Sequence, residues 1–411
     1  MFLKTITAAG AFAFLGSTAM AGCGISAGNV SVLSNDFPAI QAVTSAASAC
    51  AGDGITVETN LTKDHKDIMV AALTANPAQY SSVIVSNSTL VTLMNDGLVR
   101  SIDDLVAKHG AHLGKNQLIT VNGKVMAVAF MANAQHLFTR TDVLEKAGVE
   151  GIPATYEDVL AAAEKVRAAG LMEYPVALNT KAGWNLAEEF VNMYMGTGAS
   201  FFKEGTAEAS VNNENGVATL NMLKSLVAYS NPDYLTYDSN ATQAEWEAGN
   251  LAMATMWGSR GSAVLDDEGS SADVVAGTVL STAPSWGNGA RPASTLWWDG
   301  IAISANVSDE DAEATFIALM NGITTDVVKA NNDAAIWLID GYVPSPASAG
   351  VAGTASGGAA PYPMLPFMGA LHTALGAEIS DFLQGTESAE QALADVEAAY
   401  TAAAKEQGFL K

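Results

Sequence analysis

Three times in its first hundred residues the chain repeats one pattern, and that pattern narrows the fold more than anything else in it. An apolar or alternating stretch is followed by a polar loop and then by helical spacing. Val30–Leu33 leads through Ser34-Asn-Asp-Phe-Pro38 into a helix over Phe37–Ala49. Ile55–Asn60 leads through Lys63-Asp64-His65 into a helix reaching Leu73, and Val83–Val85 through Ser86-Asn87-Ser88 into one ending near Gly97. Parallel neighbours in a sheet need a crossover, and a helix supplies it, so the series predicts βαβ units around a parallel sheet. Ligands of such sheets collect at the carboxyl ends of the strands. Position alone therefore nominates Asn35, Asp36, Asp64, His65, Asn87 and Ser88, although each taken singly reads more readily as a loop residue capping a helix.

The remaining chain continues the alternation of strands and helices. Gly123–Phe130 reads as a strand, Asp142–Ala147 as a helix stopped by Gly148, and Thr155 as the cap of a helix with Asp158 three residues on. Tyr174–Leu178 is a short strand, and Trp184-Asn185 opens a helix through Met195. A further strand runs into Trp257, before the loop Gly258-Ser-Arg260-Gly. Trp297-Trp298-Asp299 precedes the alternating Ile301-Ala-Ile-Ser, and Ser308 opens the next helix. The Gly/Ala/Ser-rich residues 347–360 read as a surface loop. At 411 residues the chain should hold at least two domains.

Hydrophobic residues make up 49% and charged residues 15%, enough apolar material for large cores. A net charge of -24 should repel nucleic acid and anionic lipid. Residues 1–21 read as a secretory signal: Lys4, the apolar run Ile6–Leu15, then Ala19-Met20-Ala21 before a cleavage site. Two readings of the cysteines stay open. Cys23 and Cys50 could form a disulfide, since a helix returning antiparallel to the first strand brings Cys50 back to that strand's start. Alternatively Met20-Ala21-Gly22-Cys23 is a lipobox, and Cys23 carries a lipid anchor.

Taken together the order of motifs resembles the solute-binding proteins of bacterial ABC transporters, specifically the carbohydrate-binding group that includes the maltose-binding protein. The resemblance is carried by Gly97-Leu-Val99, Asn122-Gly-Lys-Val-Met-Ala-Val128, Thr141 to Gly148 with Pro153-Ala-Thr-Tyr-Glu-Asp158, and Trp246-Glu-Ala-Gly-Asn-Leu-Ala-Met253. Asp299-Gly-Ile-Ala-Ile-Ser304, Asp311 to Phe316 and Gly341-Tyr-Val-Pro344 complete it. It implies an α/β, two-lobed periplasmic binding protein fold of type II, with the ligand cleft between lobes joined by a multi-strand hinge. The lobes would comprise residues 22–130 with 295–341, and residues 131–294 with 342–411. It implies a periplasmic monomer that closes on a sugar or polyol and delivers it to an inner-membrane ABC permease. Carried over by position, the cleft would be lined by Asn35, Asp36, Asp64, His65, Asn87, Phe130, Trp184, Asn185, Trp257, Gly258, Arg260, Trp297, Trp298, Asp299, Asp340 and Tyr342.

That set suits a hydroxyl-rich ligand. Indole faces stack on the apolar face of a sugar ring, while carboxylates, amides and a guanidinium meet its hydroxyls. Arg260 has two readings: an ion pair with Asp266 or Asp267, or a cleft residue able to meet an acidic or sulfonated group. A compatible solute such as a quaternary ammonium would use the same tryptophans. Enzyme signatures are weak. The sequence has no G-x-S-x-G and no P-loop, and His109-x-x-His112 lacks a partner at metal spacing, so no cofactor or metal is expected.

Overall fold

The computed structural model describes residues 23–411 apart from Asp53, Gly287, Asn288 and Ala290; the expected signal segment lies outside the described residues. In chain order the first part gives β1 (Gly28–Ser34), α1 (Pro38–Ser48), β2 (Ile55–Leu61), α2 (His65–Thr74), β3 (Ser82–Ser86), α3 (Asn87–Asn95), α4 (Asp103–His109), β4 (Leu118–Val121) and β5 (Lys124–Asn133). The middle gives β6 (Gln135–Arg140), α5 (Thr141–Lys146), α6 (Tyr156–Ala168), β7 (Val176–Ala177), α7 (Trp184–Gly196), α8 (Glu214–Val227), α9 (Ser239–Glu247), β8 (Met253–Trp257), α10 (Gly261–Val264), α11 (Ala272–Gly277) and β9 (Thr278–Ser281). The last part gives β10 (Thr295–Ile303), α12 (Asp309–Gly322), α13 (Thr325–Ala330), β11 (Ile336–Trp337), α14 (Ala349–Ser356), β12 (Ala360–Pro361), α15 (Met368–Gln384) and α16 (Ala389–Glu406).

These strands form two separate sheets. The first has the order β11-β5-β10-β3-β1-β2, with β4 added beside β5 and β12 beside β10; the second has the order β7-β8-β6-β9. β1 pairs parallel with β2 and β3, as the repeated strand–helix pattern demands, and β10 runs antiparallel between β3 and β5. Every residue of β3 is buried, the signature of a central strand covered on both faces. Each sheet has its own interior. Val30, Ile40, Ile301 and Phe316 belong to one, and Leu137, Phe190, Leu223 and Leu375 to the other. The chain therefore folds as two α/β lobes.

Two neighbouring strands cross between the lobes. β5 ends in the first sheet and β6 begins the second, with only Ala134 between them. β10 starts with Trp297 packed in the second lobe's core and ends with Ile301 and Ile303 in the first. The two crossings are bonded to each other, with Trp297 opposite Asn133, and the register shifts between Asp299 and Gly300. A third connection follows β11.

Local chemistry explains several elements. Thr155 and Asp158 form a reciprocal capping box at the start of α6. Ser308 caps α12 by accepting from the Asp311 amide. Cys23 and Cys50 are joined in a disulfide. One expectation needs correction. Residues 347–360 are not a surface loop: α14 lies against β6 and β9, with Val351 and Thr354 buried. Its glycines serve close packing rather than flexibility, since Gly350 abuts the His136 ring too tightly for any side chain. The tail packs in the second lobe's core through Tyr362, Leu375 and Tyr400, and its leading stretch also touches the first lobe, where Met364 packs and Asn95 Nδ2 donates to the Pro366 carbonyl at 3.0 Å.

Candidate functional site

A cavity of about 460 Å³ lies between the lobes. From the first lobe come the loops after β1 (Asn35, Phe37) and β2 (Lys63 to Asp67), the end of β3, and Asp299 of β10. From the second come the loop into α7 (Lys181 to Asn185), the first turn of α9 (Asp238 to Asn240), and Trp257, Ser259 and Arg260 after β8. Asn133 and Trp297 enter from the crossing strands. The contributors from β1, β2 and β3 sit at strand carboxyl ends, where the sheet's topology opens a crevice.

Three indoles form the apolar wall. Trp184 lies 6.4 Å from Trp257 at 28° and 5.7 Å from Trp297 at 67°, and Trp257 meets Trp297 edge-on at 5.7 Å. A buried polar network sets their positions. Trp297 Nε1 donates to Thr295 Oγ1 at 2.7 Å and to Glu188 Oε1 at 3.1 Å. Thr295 Oγ1 is also 2.7 Å from both Glu188 Oε1 and Asn192 Oδ1. Glu188 is one helical turn beyond Trp184, and burial pushes its carboxyl up to about 8 against the opposing bond from Thr295. Behind Trp184, burial lowers His372 to about 3, so its ring is neutral. His372 Nε2, 3.0 Å from the Trp184 carbonyl, must then carry the proton, and Nδ1 accepts from Tyr362 Oη at 2.9 Å.

The opposite wall is polar. Burial raises Asp299 to about 7, with the Lys66 charge opposing. Burial lowers Lys66 to about 8, against the pull of Glu188, Asp299 and Asp67. The Lys66 Nζ sits 3.3 Å from the centre of the Trp184 ring, crossing from α2 of one lobe to α7 of the other. His65 is buried and lowered to about 3, chiefly by desolvation, and its Nδ1 has no partner among the described residues. Arg260 Nη1 donates to Gln243 Oε1 at 3.3 Å. No carboxylate among the described residues pairs with Arg260 at ion-pair distance, so the reading that tied it to Asp266 or Asp267 gives way to a cleft position. Beyond Arg260 the cleft opens into an adjoining space of about 490 Å³ reached by Asp36, Gln41, Lys63 and Asn240.

Asn35, Asp64, His65, Trp184, Asn185, Trp257, Arg260, Trp297 and Asp299 all line the main cavity, and Asp36 lines the adjoining one. Six expected residues lie elsewhere. Phe130 is fully buried in the first lobe's core, because β5 runs three residues past it. Asn87 is buried, accepting from the Trp298 amide at 3.0 Å and donating to the Leu296 carbonyl at 3.3 Å, so it fastens β10 instead of meeting a ligand. Trp298 faces away from Trp297 and packs into a separate first-lobe cluster. Gly258 is hemmed in by Val351, Asn133 and His136. Asp340 is exposed outside the cavity, and Tyr342 packs against the first-lobe core. Lys66, Lys181, Asp238 and Glu188 were not anticipated. Signals for two of them exist: Asp238 caps α9 through two backbone amides, and Glu188 falls one turn after Trp184. Among the described residues no cluster of His, Cys, Asp or Glu is placed to hold a metal.

A family model described as bacterial extracellular solute-binding protein matches residues 41–357. A probable ABC transporter-binding protein from Deinococcus radiodurans is 26% identical over 208 residues, 49% of this chain and 49% of that protein, so the match spans about half the relative's length. Among solved structures, maltose-bound MalE3 of T. maritima is similar with a TM-score of 0.79 at 16% identity, over 91% of this chain and 99% of that one. A ribitol-bound ABC transporter solute-binding protein from Agrobacterium radiobacter K84 gives 0.78 at 21% identity, over 90% and 97%. A D-mannitol-bound counterpart from Agrobacterium vitis S4 gives 0.75 at 21% identity, over 93% and 99%.

Proposed function

Since the chain belongs to the bacterial extracellular solute-binding proteins, we propose that it captures a small sugar or polyol between its lobes and hands it to an ABC permease. The observation that carries this reading is the Trp184–Trp257–Trp297 wall facing Asp299, Asn185 and Asp64 across one cavity. Indole faces suit the C–H side of a sugar or extended polyol, and the facing polar groups suit its hydroxyls. A cavity of about 460 Å³ fits a monosaccharide, a sugar alcohol or a disaccharide. Similar folds are known with ribitol, D-mannitol and maltose bound. The protein acts in the periplasm as a monomer and catalyses no reaction; it binds, closes and releases. Closure follows because a ligand touching both lobes binds the closed state more tightly.

Differential scanning fluorimetry of the mature chain against ribitol, D-mannitol, sorbitol, glucose and maltose tests this. At least one should raise the melting temperature without being consumed, and Trp184→Ala should abolish that rise. A panel with no response, or turnover of the responding compound, refutes it. Arg260, with no carboxylate at ion-pair distance among the described residues, favours a second reading in which the ligand carries an acidic group. Adding glucuronate and a sulfonated sugar to the panel separates the two.

A further inference from the structure

The Lys66 side chain already holds the place a cation would take. Its ammonium lies over the Trp184 ring at 3.3 Å from the centre, with His372 stacked on that indole at 4.9 Å and Trp257 and Trp297 around it. An aromatic enclosure with Asp299 and Glu188 nearby has the make-up of a quaternary-ammonium site. Here, however, the chain's own lysine occupies it from across the cleft. Among the described residues no carboxylate lies within ion-pair distance of that ammonium; Glu188, Asp299 and Asp67 act on it from further off.

We propose that Lys66 is a specificity-determining residue that closes the Trp184 face to cationic solutes and leaves it open to hydroxylated ones. This rests on the sugar or polyol reading only for the identity of the admitted ligand. The asymmetry is electrostatic. A polyol brings oxygen acceptors, so the ammonium can swing off the indole on its flexible four-carbon stem and still be hydrogen-bonded. A quaternary ammonium with at most one hydroxyl offers the lysine little to bond, and must face a like charge in an enclosed, poorly screened space. Without the lysine charge, the indole faces would attract a cation.

The test compares the mature wild-type chain with Lys66→Gln and Lys66→Met, using calorimetry with choline and tetramethylammonium beside the polyol panel. The lysine stem is only partly buried and lines the cavity, so neither change leaves a void in a lobe core, and two variants guard against one failing to fold. Wild type should bind neither cation measurably. At least one variant should gain choline binding, about tenfold or more above the wild-type limit. Lys66→Arg, which keeps the charge, should not. Wild-type binding of choline as tight as the variants', or folded variants that stay blind to both cations, overturns the proposal. Polyol binding by wild type is scored separately. If it is absent while the variants gain choline, the sugar reading fails and this one stands; if it is present and the variants gain nothing, the reverse holds.

Discussion

Replacing Glu188 by Gln should flatten the alkaline flank of the stability profile. The carboxyl is fully buried on α7, and its Oε1 holds Thr295 and Trp297 while Oε2 has no hydrogen-bond partner among the described residues. Unfolded, it titrates near 4.5; folded, burial holds it at about 8. Between these values the folded chain keeps a proton that the unfolded chain has lost, so raising the pH favours unfolding. The favourable term is complete below 4.5 and is lost as pH rises through 8. One proton corresponds to about 1.4 kcal/mol per pH unit, or roughly 3–5 °C of melting temperature. Below about pH 6.5 the effect is masked. His65, His136 and His372 are held neutral by burial, at about 3 to 4, and they charge on unfolding, which makes stability rise with pH there. The clean window is therefore pH 6.5 to 8. Glu189 and Asp299 slope the same way as Glu188, and subtracting the variant's curve removes them. Gln imitates the protonated acid, so Glu188→Gln should already melt above wild type at pH 6.5, and the gap should widen by about 2 kcal/mol between pH 6.5 and 8. Parallel curves across that window would mean that Glu188 is ionised in the folded protein, and the reasoning would fail.

Two further outcomes follow from packing and covalent structure. Trp298→Ala should cost about 2–3 kcal/mol in chemical denaturation while the affinity for a responding polyol stays within a few fold, because this partly buried indole packs in the first lobe away from the cavity. Loss of binding with unchanged stability would put it back in the cleft. Replacing Cys23 and Cys50 together by Ser should cost about 3 kcal/mol in the same assay, given a sequence separation of 27. An unchanged midpoint would mean that the crosslink restrains nothing.

The strand–loop–helix series was legible because period-two and helical spacings differ, and because a parallel neighbour forces a crossover. The capping box at Thr155 was legible for the same local reason. What escaped was long-range or a matter of facing. Trp297 and Trp298 are adjacent in a strand, so they must point to opposite faces, and Asp299 shares the face of Trp297. The sequence offers the alternation but not which member looks inward. Phe130 was placed at a strand end that the strand outruns. Asn87 follows a strand as expected, but α3 begins there and its amide turns to β10. The small residues of α14 imitated a loop because dense packing and flexibility both select glycine and alanine. Lys66 was invisible because its significance lies in reaching Trp184, more than a hundred residues away.

Ala134 and the Trp297–Asn133 pairing fix how the halves can move. Two strands laced together by backbone bonds pass side by side through the boundary, so neither can pivot alone. Any change in the angle between the lobes must bend this ribbon as a single leaf spring. Because Trp297 and Asp299 ride on it, flexing re-aims an indole and an acid in the same stroke, and the groups that grip a guest are mounted on the joint itself.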